Sequence, residues 1–327
     1  LVQLNGKPLV QNIEFLSLYL IAVGTYQEQG YQYVLNNLKQ KQDFKKGTAF
    51  ENLEAFGYTM LQKPLEALNM VYPDARLLGA SAQVSAEAST EASTEASTEV
   101  NTEVNIDVAD LVGSGGLKRL MTYVETASPP AKYDFEYKTS QYGRIFAANE
   151  IGKYSSKIHD ICEHILHSTG VILVYSQYID GGILPVALAL EERGFTRAGL
   201  VKSLFKTPPT EKIDALTLKT KKELEREKEK EKNPNPTQTQ KFSPAKYVMI
   251  TGDKGLSPDN VQDIKMLTDL KNKDGEQVKV VLISLAGSEG LDLKFIRQVH
   301  ILAPWYNMNR IEQIIGRAVR TCSHKDL

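Results

Sequence analysis

The chain has 327 residues, enough for one large domain or two small ones at roughly 100–200 residues per domain. Its 42% hydrophobic and 24% charged residues are typical of a globular protein and exclude bulk disorder, collagen and a disulfide miniprotein. A net charge of −1 excludes an overall polycationic character, so any contact with nucleic acid must come from a local patch.

Several features of the sequence limit the cellular compartment in which we expect the protein. The two cysteines, Cys162 and Cys322, cannot form a disulfide framework and fit a reducing, intracellular compartment. No apolar run reaches the ~18–20 residues of a membrane-spanning helix, and no signal peptide is visible, so we expect no membrane partner. The sequence opens at Leu1 without an initiator Met and closes at Leu327 directly after a helix-like segment. We therefore interpret it as a fragment of a longer protein.

Residues 1–145 mix helical segments with irregular sequence and are predicted to form a mostly helical connecting region. Within them, residues 81–105 contain the repeated tetrapeptide Ala-Ser-Thr-Glu. This stretch is small, polar and acidic and has no apolar period, so we expect it to be a disordered insertion.

Residues 146–327 have a different pattern. Four apolar runs alternate with four helical stretches: the runs are 171–176, 247–252, 278–284 and 298–304, and the helices are 154–168, 183–193, 258–272 and 308–320. Continuous apolar runs between turns are typical of strands covered on both faces, and the alternation predicts a parallel α/β sheet. A Lys/Glu-rich insertion at 206–243 interrupts it, ending in Asn-Pro-Asn-Pro. A partner-docking role for either insertion is the alternative to a plain surface loop.

The strongest functional pattern lies on the last predicted helix. Gln313, Gly316, Arg317 and Arg320 have spacings that place them on one face. Two guanidinium groups at fixed spacing suit a polyphosphate, although such a pair alone more often marks an ordinary surface. Glycine in mid-helix costs ~1 kcal/mol relative to Ala, so Gly316 needs a reason such as close approach of a ligand or strand.

A glycine-rich turn precedes this helix. Ser284, Gly287, Gly290 and Asp292 follow directly after a predicted buried strand, where ligands of parallel sheets bind. The glycines would let a backbone approach a phosphate or sugar, and Asp292 could accept a hydrogen bond from a ribose hydroxyl. Such a turn is also the commonest way to leave a sheet.

These segments resemble a known family. Ser-Leu-Ala-Gly-Ser-Glu-Gly-Leu-Asp-Leu is similar to motif V of superfamily 2 helicases, and Gln-Ile-Ile-Gly-Arg-Ala-Val-Arg is similar to their motif VI. Val171–Gln177 lies where motif IV is expected. The tract Gly-Val-Ile-Leu-Val-Tyr-Ser-Gln-Tyr, together with Leu68–Pro73, is similar to helicases and nucleoside triphosphatases of large cytoplasmic DNA viruses. That group includes poxvirus- and asfarvirus-type transcription factors.

The resemblance implies a second RecA-like domain that completes an ATP site. Arg317 and Arg320 would reach the nucleotide phosphates, Arg320 as the arginine finger, and Gln313 would position the attacking water or the γ-phosphate. Gly290, Asp292 and Gly316 would lie on the nucleotide side. The expected contacts to a DNA or RNA backbone are Ser176, Gln177, Thr251, Gly252 and Ser284.

One expected element is absent from the sequence. No G-x-x-x-x-G-K-[S/T] loop or following Asp-Glu box occurs, and the glycine cluster at 113–118 has the wrong spacing. The Mg²⁺ ligands are therefore expected in a missing first RecA-like domain, and the fragment alone should not hydrolyse ATP. The predicted whole is an ATP-dependent DNA/RNA helicase or translocase in viral transcription, in host cytoplasm or virion.

Two alternatives remain open. A non-catalytic nucleic-acid-binding or scaffold subunit would share the fold, but would not need the motif VI arginines. Another doubly wound nucleotide enzyme would share the strand–helix alternation, but not the Gln-x-x-Gly-Arg-x-x-Arg helix. One predicted helix carries His159, Cys162, Glu163, His164 and His167, which could suggest a metal. They lack a recognised ligand spacing, and we interpret His159, Glu163 and His167 as a solvated face.

Overall fold

The computed structural model describes residues 21–43, 53–77, 106–125, 133–199, 203–209, 211–230, 241–288, 290–303, 308–319 and 323–324. The helices are α1 Thr25–Asp43, α2 Leu53–Asn69, α3 Val108–Leu111, α4 Gly113–Leu120, α5 Thr139–Tyr142, α6 Ile151–Tyr154, α7 Ser156–Leu166, α8 Leu184–Glu192, α9 Lys221–Lys230, α10 Asn260–Thr268 and α11 Met308–Ala318. The strands are β1 Met121–Glu125, β2 Tyr133–Tyr137, β3 Val171–Tyr175, β4 Thr196–Arg197, β5 Lys246–Ile250, β6 Val280–Ile283 and β7 Ile296–Ile301.

Five of the strands form one parallel sheet in the order β4-β5-β6-β3-β7. Every residue of the interior strand β3 is buried, which explains its continuous apolar sequence. The four predicted runs correspond to β3, β5, β6 and β7, and the four predicted helices to α7, α8, α10 and α11. The predicted RecA-like α/β fold is confirmed.

Two apolar layers cover the sheet. Alternate side chains of β3 point to opposite faces, so that Ile172 and Val174 join one cluster and Leu173 joins the other. The first layer contains α7, α8 and the N-terminal helices, and the second contains residues of α10 and α11. The two sides of the sheet therefore carry different parts of the chain.

The N-terminal part packs against the first layer. Met70, Val71 and Tyr72 lie in a fully buried stretch after α2, where the Val71 amide donates to the Tyr154 carbonyl at 3.0 Å. The Tyr26 hydroxyl donates to the Tyr72 carbonyl at 3.1 Å. The stretch that resembles viral helicases before the second core domain is thus part of this core.

An antiparallel hairpin of β1 and β2 lies in the region predicted to be mostly helical. It is fastened to the α/β part through the Phe135 amide, which donates to the Leu204 carbonyl at 2.8 Å. Glu191 holds the same segment, because its buried carboxylate accepts from the Leu204 and Phe205 amides at 2.7 and 3.0 Å. The Tyr247 hydroxyl also donates to Glu191, at 2.7 Å.

The Lys/Glu-rich excursion starts later than the predicted residue 206. Ile213 and Ala215 are buried in the core, and the Ala215 amide donates to the Ser243 carbonyl at 2.7 Å. Asp214 links the two ends of the Lys/Glu-rich excursion, because its carboxylate accepts a hydrogen bond from the Ser243 amide at 3.0 Å. Although burial opposes it, hydrogen bonds from Ser243, Thr217 and Leu216 hold the pKa of Asp214 below its usual value.

Candidate functional site

The carboxyl ends of β3, β5 and β6 each carry a buried hydroxyl residue: Ser176, Thr251 and Ser284. Each hydroxyl oxygen accepts a hydrogen bond from a backbone amide of its own loop. The donors are Tyr178 to Ser176 at 3.2 Å, Asp253 to Thr251 at 3.2 Å and Gly287 to Ser284 at 3.3 Å. These three predicted nucleic-acid contacts therefore shape the loops with their side chains, and only the loop surfaces beside them are open to a ligand.

Two of these loops interlock through glycines. A Cβ at Gly287 would lie 1.9 Å from the Ile250 carbonyl oxygen, and one at Gly252 would lie 2.8 Å from the Ala286 Cβ. The turn that resembles motif V (the motif V turn, described residues 284–288 and 290–292) therefore packs tightly on the end of β5, and this contact within the chain accounts for Gly287. Gly252 itself is exposed, and Gln177 is half-buried in the loop after β3.

Gly290 is required for a different reason. Its φ of +70° lies in the left-handed region, which side chains rarely adopt, whereas no atom comes within 4 Å of its Cβ position. Asp292 follows it and is exposed. Both predicted nucleotide-side residues are thus at the surface of the motif V turn.

Helix α11 is hydrogen-bonded to the motif V turn on one side and exposed on the other. The buried Ile314 and Ala318 anchor one side of the helix in the second apolar cluster. The Leu293 amide donates to the Arg317 carbonyl at 3.2 Å, and Arg317 Nη1 donates to the Leu291 carbonyl at 3.5 Å. The two segments that resemble motifs V and VI, separate in sequence, are therefore joined by hydrogen bonds into one unit.

The predicted motif VI side chains differ in exposure. Gln313 is exposed and Arg317 is partly exposed, and no carboxylate of the described residues lies within 4.0 Å of the Arg317 guanidinium. No atom comes within 4 Å of a Cβ placed at Gly316, so packing within the described chain does not explain this mid-helix glycine. Arg320 lies outside the described residues.

A π-helix, Ile179–Ile183, follows the loop after β3. Such helices are rare and often occur at functional sites. It is held from the N-terminal region, because the Asn69 side-chain amide donates to the Gly181 carbonyl at 3.2 Å and the Tyr72 hydroxyl donates to the Asp180 carbonyl at 3.4 Å. Sequence reasoning missed this support, and the resemblance of Leu68–Pro73 was the only signal for it.

The glycine cluster at 113–118 forms helix α4, and its glycines serve packing. A Cβ at Gly115 would lie 2.2 Å from the Ala109 carbonyl oxygen, and one at Gly116 would lie 2.3 Å from the Tyr72 ring. The neighbours that leave no room for a side chain at Gly115 and Gly116 are therefore α3 and the buried stretch after α2.

The histidines of α7 do not converge on a metal-ligand set. Glu163 forms an ion pair with the buried Arg193 at 3.4 Å, and His164 pairs with Asp160 at 3.2 Å. In the part of the chain that the structure describes, no three His, Cys, Asp or Glu side chains could hold a metal ion. Burial, with a smaller contribution from His164, lowers the pKa of His300 in β7 to about 4.

Comparison with known proteins agrees with this arrangement. Residues 210–322, about a third of the chain, match the family model of the helicase conserved C-terminal domain. A termination factor NPH-I homolog of African swine fever virus is 34% identical over 173 residues, which cover 53% of this chain and 24% of that protein. A putative ATP-dependent RNA helicase of Acanthamoeba polyphaga mimivirus, L538, is 28% identical over 178 residues, covering 54% of this chain and 27% of that protein.

A second mimivirus protein with the same description, R563, is 39% identical over 85 residues, covering 26% of this chain and 14% of that protein. The chain spans about a quarter of the length of the African swine fever virus relatives. The predicted resemblance to the C-terminal domain of superfamily 2 helicases of large DNA viruses is confirmed. Across the described residues, none of the helices combines the length and apolar character needed to cross a membrane.

Proposed function

We propose that the chain is the second RecA-like part of an ATP-dependent DNA or RNA helicase or translocase, because residues 210–322 match the family model of the helicase conserved C-terminal domain. The single observation that carries this proposal is the unit formed by α11 and the motif V turn. It holds Gln313 and Arg317 at the surface, on a helix fixed by the sheet beneath it. A first RecA-like domain would supply the other half of the ATP site.

The chemistry of α11 suits a polyphosphate. Arg317 offers permanently charged donors, and its guanidinium makes only one hydrogen bond, a 3.5 Å contact to a carbonyl, among the described residues. It would bind nucleotide phosphate and stabilise the charge that develops during transfer, while Gln313 would orient the attacking water. We assign Arg320 the role of arginine finger. The Mg²⁺ ligands would come from the first domain.

The loops after β3, β5 and β6 would bind the nucleic-acid backbone. Their buried hydroxyls fix the loop shape, so we propose that backbone amides, the exposed Gly252 and the half-buried Gln177 make the contacts. Such contacts depend on salt and not on base sequence. We propose viral transcription, in host cytoplasm or virion, as the setting, because one relative is described as a termination factor.

The test is nucleic-acid-stimulated ATP hydrolysis by the intact protein. We expect Arg320→Ala to lower kcat about 10³-fold, as the loss of an arginine finger does, and Arg317→Ala to lower it about 10²-fold. Lys265→Ala, on the exposed surface of α10, is the matched control and should retain activity. An unchanged hydrolysis rate in both arginine variants would contradict the proposal.

The alternative is a non-catalytic scaffold subunit with the same fold. It predicts nucleic-acid binding without hydrolysis in the intact protein. The surface position of Arg317, away from any described carboxylate, favours the enzyme, because a structural arginine normally pairs with an acid.

A further inference from the structure

Lys157 lies at the ligand-binding edge of the sheet. It is the second residue of α7, the helix that leads into β3, so the start of α7 and the carboxyl ends of the strands are at the same edge. Its ammonium donates to the carbonyl of Leu302, the residue after β7, at 3.2 Å. This contact places the charge directly beside the end of β7.

The ammonium has incomplete partners. Besides Leu302, its only described acceptor is the Asn69 side-chain oxygen at 3.5 Å, so one of its three protons has none. No carboxylate of the described chain lies within 4.0 Å of it, and the residues 304–307 that follow the strand, Pro-Trp-Tyr-Asn, contain no acid. Half-buried charges are normally paired, because desolvation without a counter-ion is costly.

Asn69 fixes this position from three directions. Its carbonyl accepts from the Ser155 hydroxyl at 2.5 Å, and its side-chain amide donates to the Gly181 carbonyl of the π-helix. Its side-chain oxygen accepts from Lys157. Asn69, from the N-terminal region, therefore links the lysine to the π-helix that follows β3.

We propose that Lys157 binds a phosphate of the nucleic-acid strand beside Leu302, at the end of β7, and the π-helix that follows β3. The proposal rests on the helicase function proposed above and names a contact for it outside motifs IV, V and VI. A strand phosphate fits better than a nucleotide phosphate, because Lys157 lies beside the first apolar layer whereas Arg317 lies on α11 in the second. Leu302, which accepts from Lys157, also packs near Gly182 beside the Ser176 loop.

The acid–base behaviour of Lys157 gives a second readout. Burial alone lowers its pKa to about 8, and no titratable neighbour contributes. A bound phosphate would favour the charged form, so binding would take up a proton above pH 8. We expect affinity for nucleic acid to fall between pH 8 and 9.5 in the wild type, and to fall less in Lys157→Arg, whose side chain stays charged.

The experiment measures binding of labelled single-stranded DNA and RNA to the intact protein at several salt concentrations. Lys157→Gln should weaken binding about tenfold at moderate salt and reduce the slope of log affinity against log salt by about 0.7, the value for one phosphate contact. Lys271→Gln is the control with the same charge change at the opposite edge, and it should bind like the wild type. Unchanged affinity and slope in Lys157→Gln would overturn the proposal.

Two further measurements distinguish a strand phosphate from the other anions that Lys157 could bind. A raised KM for ATP without nucleic acid in Lys157→Gln would assign the lysine to the nucleotide and overturn the proposal. Weaker binding with an unchanged slope would also overturn it, since it would indicate a carboxylate of the first domain.

A measurement on the wild type avoids a folding defect in the variant. Lys157 should react more slowly with an amine-acetylating reagent when single-stranded nucleic acid is bound, while Lys271 should react equally with and without it. Equal reaction of Lys157 would overturn the proposal. If the wild type protects Lys157 but shows no stimulated hydrolysis, the enzyme function fails and this contact stands.

Discussion

The strand-end loops and helix α11 use their polar side chains in opposite ways. Ser176, Thr251 and Ser284 turn their hydroxyls inward onto their own loops. In α11, Gln313 and Arg317 face outward from a helix whose other side is buried. The loops can therefore offer a ligand mainly backbone atoms, whereas the helix offers side chains.

We expect the largest loss of stability from Gly287→Ala, in the motif V turn. Its Cβ would lie 1.9 Å from the Ile250 carbonyl oxygen, so that the motif V turn must move away from β5. We expect the free energy of unfolding to fall by about 3 kcal/mol, at the upper end for overpacking. Gly290→Ala is the matched control, because only its positive φ opposes the change, at about 1–2 kcal/mol. Urea unfolding of both variants measures the difference, and equal losses would show that the turn is not packed as described.

Removing an inward hydroxyl should have an intermediate effect. Thr251→Val leaves the Asp253 amide without its acceptor and removes the 2.7 Å contact to the Ser257 hydroxyl. We expect a loss of about 1–3 kcal/mol in the free energy of unfolding. Gln313→Ala, on the outward side, should change it by less than about 0.5 kcal/mol. Denaturant midpoints with an unchanged m-value would check this. A larger loss of stability in Gln313→Ala than in Thr251→Val would contradict the contrast between inward and outward side chains.

A smaller and opposite effect is expected at Gly316. Because no described atom lies within 4 Å of the added methyl group, Gly316→Ala should stabilise α11 by about 1 kcal/mol. If the first domain or ATP approaches this position, ATP hydrolysis should fall in the same variant. Thermal unfolding and kcat, measured on the intact protein, would separate the two effects. A more stable variant with full activity would show that nothing approaches Gly316.

The smallest effect concerns pH. His300 has a folded pKa of about 4, below its ordinary value of 6.5, so the unfolded chain binds a proton that the folded chain rejects. The stability is complete above pH 6.5 and declines as the pH falls from 6.5 towards 4. We expect about 1 kcal/mol less stability at pH 5 than at pH 7, and a weaker decline in His300→Gln. Parallel pH profiles of the two proteins would exclude His300 as the cause.

The sheet was largely predictable from the sequence, because β3, β5 and β6 are buried on both faces and leave continuous apolar runs. The edge strand β7, Ile-Arg-Gln-Val-His-Ile, has a mixed pattern and is only partly buried. The sequence did not indicate β4, which has only two residues. The hairpin was also missed, although Tyr-Asp-Phe-Glu-Tyr in β2 alternates in the period of two that marks a strand.

The site was less predictable than the fold. A Ser or Thr after a strand has the same sequence signature whether it binds a phosphate or caps its own loop, and only coordinates distinguish the two. Lys157 stands in a polar stretch that looks like ordinary helix surface, and its acceptors Asn69 and Leu302 come from distant parts of the chain. Such long-range contacts leave no local pattern.

The hairpin also has a mechanical consequence. At one end of β2, the Tyr133 hydroxyl donates to Asp253 in the loop after β5, at 3.0 Å. At the other end, the Tyr137 hydroxyl donates to Glu192 at the end of α8, at 2.6 Å. Strand β2 thus connects the loop at the carboxyl end of β5 with the end of α8 at the opposite edge of the sheet. A pull on the Asp253 loop would be transmitted along β2 to the far end of α8 without passing through the parallel strands.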